Sequence, residues 1–416
     1  MAELTLDVLR SAVAGGAAAF RCRRRLQPAG GPGDKVFPPT FAGAVYAVEQ
    51  RRIPGREAPV TCVLLDSVQS QANRMELALQ EAVDAGRLKL PLVVVDFSAH
   101  DPTGDLEADQ AAGRLIDKVG RITSLQVPHR LADAILRDSE LDGVPFRRSP
   151  KGKALDTVSA VNATPLFELC PTALLFGMWD SHGPKGGLGP KFERAIVSEI
   201  VGVGAEVGDL RRGVRRDPLE ISKSVLVLQA ADRSLQEVAT GKAPGAKRPS
   251  ELGHSSVPFP EQRERKTENN YYDGVTVEYA EQTTTLSLIC LRRLRFPLWG
   301  KADPEVDVAA RTVLAALGLA AATLAFEAGT DLRSRCLLWP DGPMVWELLD
   351  RPVMEPQRYG LTSGGAIGVF NGAVALAREK GLPWPEQPLL LKPKQALVEL
   401  VRRSQIEAMQ KGPEAS

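Results

Sequence analysis

From Thr312 to Phe326 the chain runs fifteen residues without a charge, and any fold it adopts must hide that run. Asp303 stands before it as a helix cap, and Pro304 takes the first turn, where a missing N–H costs nothing. The spacing predicts a helix over Pro304–Glu327. The uncharged run is shorter than the ~18–20 residues a membrane span needs, and it carries Gly318, so it is expected as a buried helix of a globular core.

The rest of the chain can supply that core. At 416 residues, with 44% hydrophobic and 25% charged side chains, it has apolar surface for one elaborated domain or two. The opening MAELTLDVLR lacks the basic-then-apolar pattern of a signal peptide. Cys22, Cys62, Cys170, Cys290 and Cys336 lie far apart with no CxxC pair, which speaks against zinc and disulfide frameworks and for a reducing cytoplasm, with no membrane partner. A net charge of +1 and a pI of about 7.6 exclude a uniformly basic nucleic-acid binder, whose domain pI exceeds about 9. Any RNA or DNA surface must be a local stripe.

Such stripes exist. Phe20–Leu26 alternates so that Arg21, Arg23 and Arg25 share one face of a predicted strand. Leu291–Phe296 reads as another strand, with Arg293 and Arg295 on one side. Arg211-Arg212-Gly213-Val214-Arg215-Arg216 reads as a hairpin tip or turn. Each stripe alone could be a solvated face, yet an arginine fork suits phosphate and several stripes recur. Gly30–Gly43 is expected as loop, and Thr240–Gly274 as a mobile insertion or long loop. Further strands are predicted at Val60–Leu65, Leu92–Phe97, Ser224–Leu228, Val275–Tyr279, Thr285–Phe296 and Leu332–Trp339. Helices are predicted at Arg130–Arg137, Ala366–Glu379 and Pro393–Met409. A further helix follows Asp66, with Met75, Ala78, Leu79 and Ala82 inward and Ser70, Asn73 and Arg74 together near its start. Strands and helices mix without regular alternation, which favours an α+β fold with insertions.

One segment stands out for function. Thr172–Met178 reads as a buried strand ending in Trp179-Asp180-Ser181-His182, followed by four glycines in seven residues from Gly183 to Gly189. Gly189-Pro190 is then expected to open a helix with Phe192, Ala195, Ile196 and Ile200 on its inner face. A glycine loop feeding a helix start offers free N–H groups and partial positive charge to a phosphate, with Lys185, Lys191 and Arg194 around it. The spacing is neither a Walker loop nor a dinucleotide fingerprint. The plainer reading is a tight connector with solvated lysines and Trp179 in the core.

For catalysis the sequence offers little. His100, His129, His182 and His254 are isolated, without metal spacing, and no GxSxG elbow occurs. Asp66, Asp96 and Asp180 each fall near the end of a predicted strand, as metal ligands would, or as helix caps do. No catalytic residue, metal or cofactor is assigned.

Three long motifs, GGPGDKVFPPTFAG, CVLLDSVQSQANRMELAL and LLFGMWDSHGPKGGLGPKFERAIVSEIVG, occur in order between Gly30 and Gly202. Together they resemble the backbone subunit of a CRISPR Cascade complex, the Cas-seven-type RAMP protein of the type I-U (now I-G) systems. The resemblance implies one elaborated domain over 1–416: an RRM-like (ferredoxin-like) palm with inserted fingers and a thumb hairpin. It implies several copies along the spacer of a CRISPR RNA, presenting it to target DNA beside other Cascade subunits, as a scaffold without nuclease activity. By motif position, Ser70, Gln71, Asn73 and Arg74 and the loop Lys185–Lys191, with Gly186 and Gly187, are its guide-RNA contacts. Trp179, His182 and the arginine stripes join them as candidates. The turn at Arg211, Arg212, Arg215 and Arg216, within 205–224, is the expected thumb tip, with 240–274 as the alternative. No RNP aromatic motif is recognisable. Two other functions remain open: a type III-like RNA-cleaving backbone subunit, and a phosphate-binding metabolic enzyme.

Overall fold

The computed structural model describes residues 1–416 except 43–44, 184, 208–216, 223, 231–233, 240, 242, 255–273, 353 and 412–416. Arg211, Arg212, Arg215 and Arg216 therefore lie outside the described residues, as does most of 240–274.

Six elements carry the architecture: β1 (Ala19–Pro28), α1 (Val68–Asp84), β2 (Ile196–Val203), β3 (Tyr279–Ser287), α2 (Pro304–Glu327) and β4 (Trp346–Leu349). The strands lie in the order β4-β1-β3-β2, and every neighbouring pair is antiparallel. Val60–Asp66 and Val48–Arg51 extend the sheet beyond β2, and Gln357–Gly360 and Ala2–Glu3 extend it beyond β4. Leu337–Pro340 also pairs with β1, along its C-terminal end.

The α1 helix starts where Ser67 Oγ accepts the Ser70 N–H at 3.2 Å, and it buries Ala72, Met75, Ala78, Leu79 and Ala82 as its period predicts. The α2 helix begins at the expected Asp303 cap and is apolar on nearly every side, so it sits in the middle of the core. Among the described residues it is the one helix long and apolar enough to cross a membrane, and 83% of that window is buried inside the protein. It crosses β3 closely at Gly318, where a side-chain carbon would stand 3.0 Å from Leu175 and 3.1 Å from Leu286. Both helices cover the same face of the sheet, onto which β1 turns Phe20, Cys22 and Leu26.

A second sheet, in the order Val144–Pro145, Ser139–Leu141, Leu389–Pro393, Val93–Asp96, Arg121–Thr123, extends the same core. Its Leu389–Pro393 strand runs parallel to Val93–Asp96.

Several expectations need correction. Thr172–Met178 is a helix, Pro171–Phe176, closed by Gly177 at φ 84°, before a two-residue strand Met178–Trp179. A short apolar run carries no period, and Pro171 at the first helical position decides it. Gly189-Pro190 opens no helix; Lys191–Phe192 pairs with Met178–Trp179, and Ile196–Val203 is β2. The spacing of Phe192, Ala195, Ile196 and Ile200 fits a helix, but Ile196, Ser198 and Ile200 equally fit period 2, and the β-branched Ile196, Val197, Ile200, Val201 and Val203 favour the strand. The strand expected through Leu291–Phe296 stops at Ser287, whose Oγ accepts the Cys290 N–H and caps the helix Leu288–Arg292. Arg293 and Arg295 therefore share no strand face. Arg130–Arg137 divides into a 3-10 turn and a short helix at Asp133.

Candidate nucleic-acid interface

β1 turns Arg21, Arg23 and Arg25 away from the helices, and each finds a partner across the sheet. Arg21 grips Glu347 Oε2 through Nε (2.9 Å) and Nη2 (2.7 Å), and Arg358 approaches the other oxygen of Glu347 at 3.4 Å. Arg23 Nη2 donates to both oxygens of Glu281 at 2.8 Å. Arg25 lies 4.3 Å over the ring of Tyr279. The four arginines and the two glutamates, with Pro343 and Val345, line a depression of about 670 Å³. Its arginines outnumber its two carboxylates; Arg21 and Arg23 are held in partly exposed pairs, so a phosphate reaching those two would displace Glu347 or Glu281.

Beneath this face lies a buried polar chain. Gln71 Nε2 donates to Asp66 Oδ2 at 2.6 Å, while Gln71 Oε1 accepts from Ser198 Oγ (2.9 Å) and Gln282 Nε2 (2.7 Å). Thr284 Oγ1 donates to Ser198 Oγ at 2.8 Å, and Arg24 Nη2 donates to Gln282 Oε1 at 2.7 Å. Arg74 Nε donates to Asp66 at 3.0 Å, and its Nη2 to the Leu332 carbonyl at 2.8 Å. Arg24 also stacks 4.3 Å over Phe326, and burial pulls its guanidinium below the usual range. Burial likewise pushes the Cys22 thiol up to about 11, which keeps it a thiol at neutral pH. Gln71 is thus part of the core, a correction to its expected place on the contact surface. Arg74 mainly ties α1 to residues 331–332. Asn73 is exposed, and Ser70 half-buried.

The glycine loop is built differently. Asp180, 4% exposed, pairs with Arg147 at 2.9 Å, and Arg147 also reaches Asp156 at 2.8 Å. The loop closes tightly over Asp180: a side-chain carbon at Gly189 would stand 1.9 Å from the Asp180 carbonyl oxygen, and one at Gly183 2.3 Å from its carboxylate. The Gly186, Leu188 and Gly189 N–H groups are spent on turns within the loop. The expected phosphate cradle at a helix start is therefore corrected: no helix follows, and these donors are occupied. Around the loop the polar groups point outward. Trp179 is half exposed with Lys191 Nζ 5.4 Å over its ring, which corrects its reading as a core residue. His182 contacts Ser181 Oγ at 3.0 Å, Lys185 Nζ donates to the Asp156 carbonyl at 2.7 Å, and Arg194 is exposed. Nothing lies within 4 Å of where a Gly187 side chain would start. Behind the loop, Arg130 donates to the Gly177 carbonyl at 2.9 Å and grips both oxygens of Glu76 at 2.7 Å. Burial still pushes the Glu76 carboxyl above the usual range.

Arg293 pairs with Glu193 at 2.8 Å, and Arg295 Nε lies 3.4 Å from Asp307. Asp66, Asp96 and Asp180 all sit in ion pairs with arginine. Among the described residues no three His, Cys, Asp or Glu side chains converge as a metal site.

The matched span of one family falls on both surfaces. Residues 20–207 match the family model of CRISPR-associated protein GSU0053. Over that span the chain is similar to a CRISPR-associated protein family. The span holds β1, α1, the glycine loop and β2, while β3, α2 and β4 lie beyond it. A search of curated proteins finds no match.

Sequence reasoning missed Glu281, Glu347, Tyr279 and Trp339 on the open face. The alternation of β3, with Glu281, Thr283 and Thr285 facing one way, was a usable signal. The pairing of Arg147 with Asp180 had none.

Proposed function

We propose that this protein is a non-catalytic backbone subunit of a type I CRISPR Cascade complex, of the I-U/I-G kind. In this reading several copies bind the spacer of a CRISPR RNA, with other Cascade subunits, and leave its bases to pair with target DNA. The observation that carries it is the CRISPR-associated family match falling on the arginine strand and the exposed rim of the glycine loop. The βαββαβ succession with strand order β4-β1-β3-β2 supports reading the centre as an RRM-like palm, with 85–195 and 204–278 as insertions.

A phosphate-reading face explains how a chain of net charge +1 could hold RNA of any sequence. Arg21, Arg23, Arg25 and Arg358 form a local stripe, and arginine forks grip phosphate without reading bases. Scaffold rather than nuclease is favoured because Asp66, Asp96 and Asp180, the three aspartates considered as metal ligands, are each paired with an arginine.

Co-expression with a CRISPR array and the other effector subunits tests the reading. RNA of uniform length should co-purify, and particle mass should grow as the spacer is lengthened. Guide, target RNA and target DNA should stay intact with Mg²⁺ or Mn²⁺. Constant mass with longer RNA, or strand cleavage lost on one Asp→Ala change, would overturn it.

A further inference from the structure

Trp339 sits where nothing in folding requires an indole. It lies on the strand Leu337–Pro340, directly opposite Gln27 of β1. Leu338 beside it turns inward and is buried, so Trp339 points to the open face that carries Arg21, Arg23 and Arg25. It is 71% exposed, whereas Trp346 and Trp384 are buried in the core. Across β1 from it stands Tyr279, with the Arg25 guanidinium already laid over its ring at 4.3 Å. Two strand spacings separate the two aromatic positions, about 9.6 Å. Along β1 the arginines repeat every second residue, about 6.7 Å apart.

An apolar ring left in water beside cations fits a ligand that brings both flat apolar faces and negative charge. Single-stranded nucleic acid is that ligand, since each nucleotide carries one of each. A folded protein surface would supply the apolar contact without the repeating anions for Arg21, Arg23 and Arg25.

We propose that Trp339 is a base-stacking platform at one end of the arginine strip, holding one unpaired base of a single strand whose phosphates run over β1. The proposal rests on the guide-RNA reading and adds a site beyond the 20–207 family match. It assigns stacking to an aromatic that no local motif marks, on a strand brought to β1 from more than 300 residues away.

The test uses the full chain, a labelled oligouridylate and an abasic phosphodiester of the same length. Trp339→Ala should weaken oligouridylate binding about tenfold, within the range base–aromatic stacking supports. It should leave the slope of log affinity against log salt unchanged, because no phosphate contact is lost. Trp339→Phe should restore most of the affinity, and neither change should alter abasic binding. Unaltered melting of both variants certifies the fold. If the wild type binds oligouridylate and Trp339→Ala binds it equally, or loses abasic binding to the same degree, the stacking assignment is wrong. It is also wrong if the variant keeps RNA binding while sedimentation shows lost self-association, since Trp339 then faces another copy. Failure of the wild type to bind either strand, alone or with its co-expressed partners, would instead overturn the guide-RNA reading and this proposal with it.

Discussion

The open sheet face and the glycine loop both gather cations, but they use charge in opposite ways. On the sheet, Arg21 and Arg23 meet carboxylates in partly exposed pairs, which contribute little to stability and can be exchanged for another anion. Beneath the loop, Arg147 and Asp180 are largely buried, and the loop backbone closes over Asp180. A basic stripe can therefore be a working surface or part of a foundation, and burial of the partner distinguishes them.

The largest expected effect tests the foundation. Asp180→Ala should lower unfolding free energy in urea by about 3 kcal/mol, because it strips one partner from a buried cation and unseats the loop. A loss under about 1 kcal/mol would put the loop on the same footing as the sheet face. Replacing Arg21 and Arg23 together with alanine should do the converse. Stability should change by less than about 1 kcal/mol, while the log–log salt slope of RNA binding should fall by about 1.4, or 0.7 for each lost phosphate contact. A marked drop in melting temperature with an unchanged slope would make those arginines structural.

A smaller effect sharpens the role of the loop's rim. Gly187 has open space around it and no positive φ, so Gly187→Val should leave folding intact. RNA affinity should still fall about fivefold, more than for Lys185→Ala, if backbone approaches the strand there. Equal affinity in filter binding would reduce the loop to a connector. The smallest effect concerns pH. Burial raises the Glu76 carboxyl above the usual 4.5, so the folded state holds that proton more tightly than the unfolded chain. Its contribution is full below about pH 4.5 and is lost as pH rises through the folded value. Glu76→Gln should therefore flatten this part of the stability profile in a pH series of urea melts, and an unchanged profile would show that Arg130 fully compensates Glu76.

What was legible in the sequence follows the same division. β1 declared itself through strict alternation and α2 through length, cap and missing charge, because both signals are local and repeat. The glycine loop was misread because Pro171–Phe176 is too short to display a period, and because the start of β2 fits two periods at once. The resemblance put Gln71 on the contact surface with Ser70 and Asn73, yet its partners Ser198 and Gln282 come from β2 and β3. Trp339 and Tyr279 gain meaning only from the register of strands paired across hundreds of residues. Local chemistry was readable; the juxtapositions were not.

The placement of β1 has a consequence for how the molecule is made. Both its neighbours are synthesised long after it; Glu347, the partner of Arg21, follows 326 positions on. Until then β1 waits with both edges bare, the condition in which strands recruit wrong partners. Its alternating arginines would repel a second nascent copy of the same strand. The alternating charge thus guards β1 until its long-range pairing closes. A fragment cut at 20–207 would keep that exposed edge permanently.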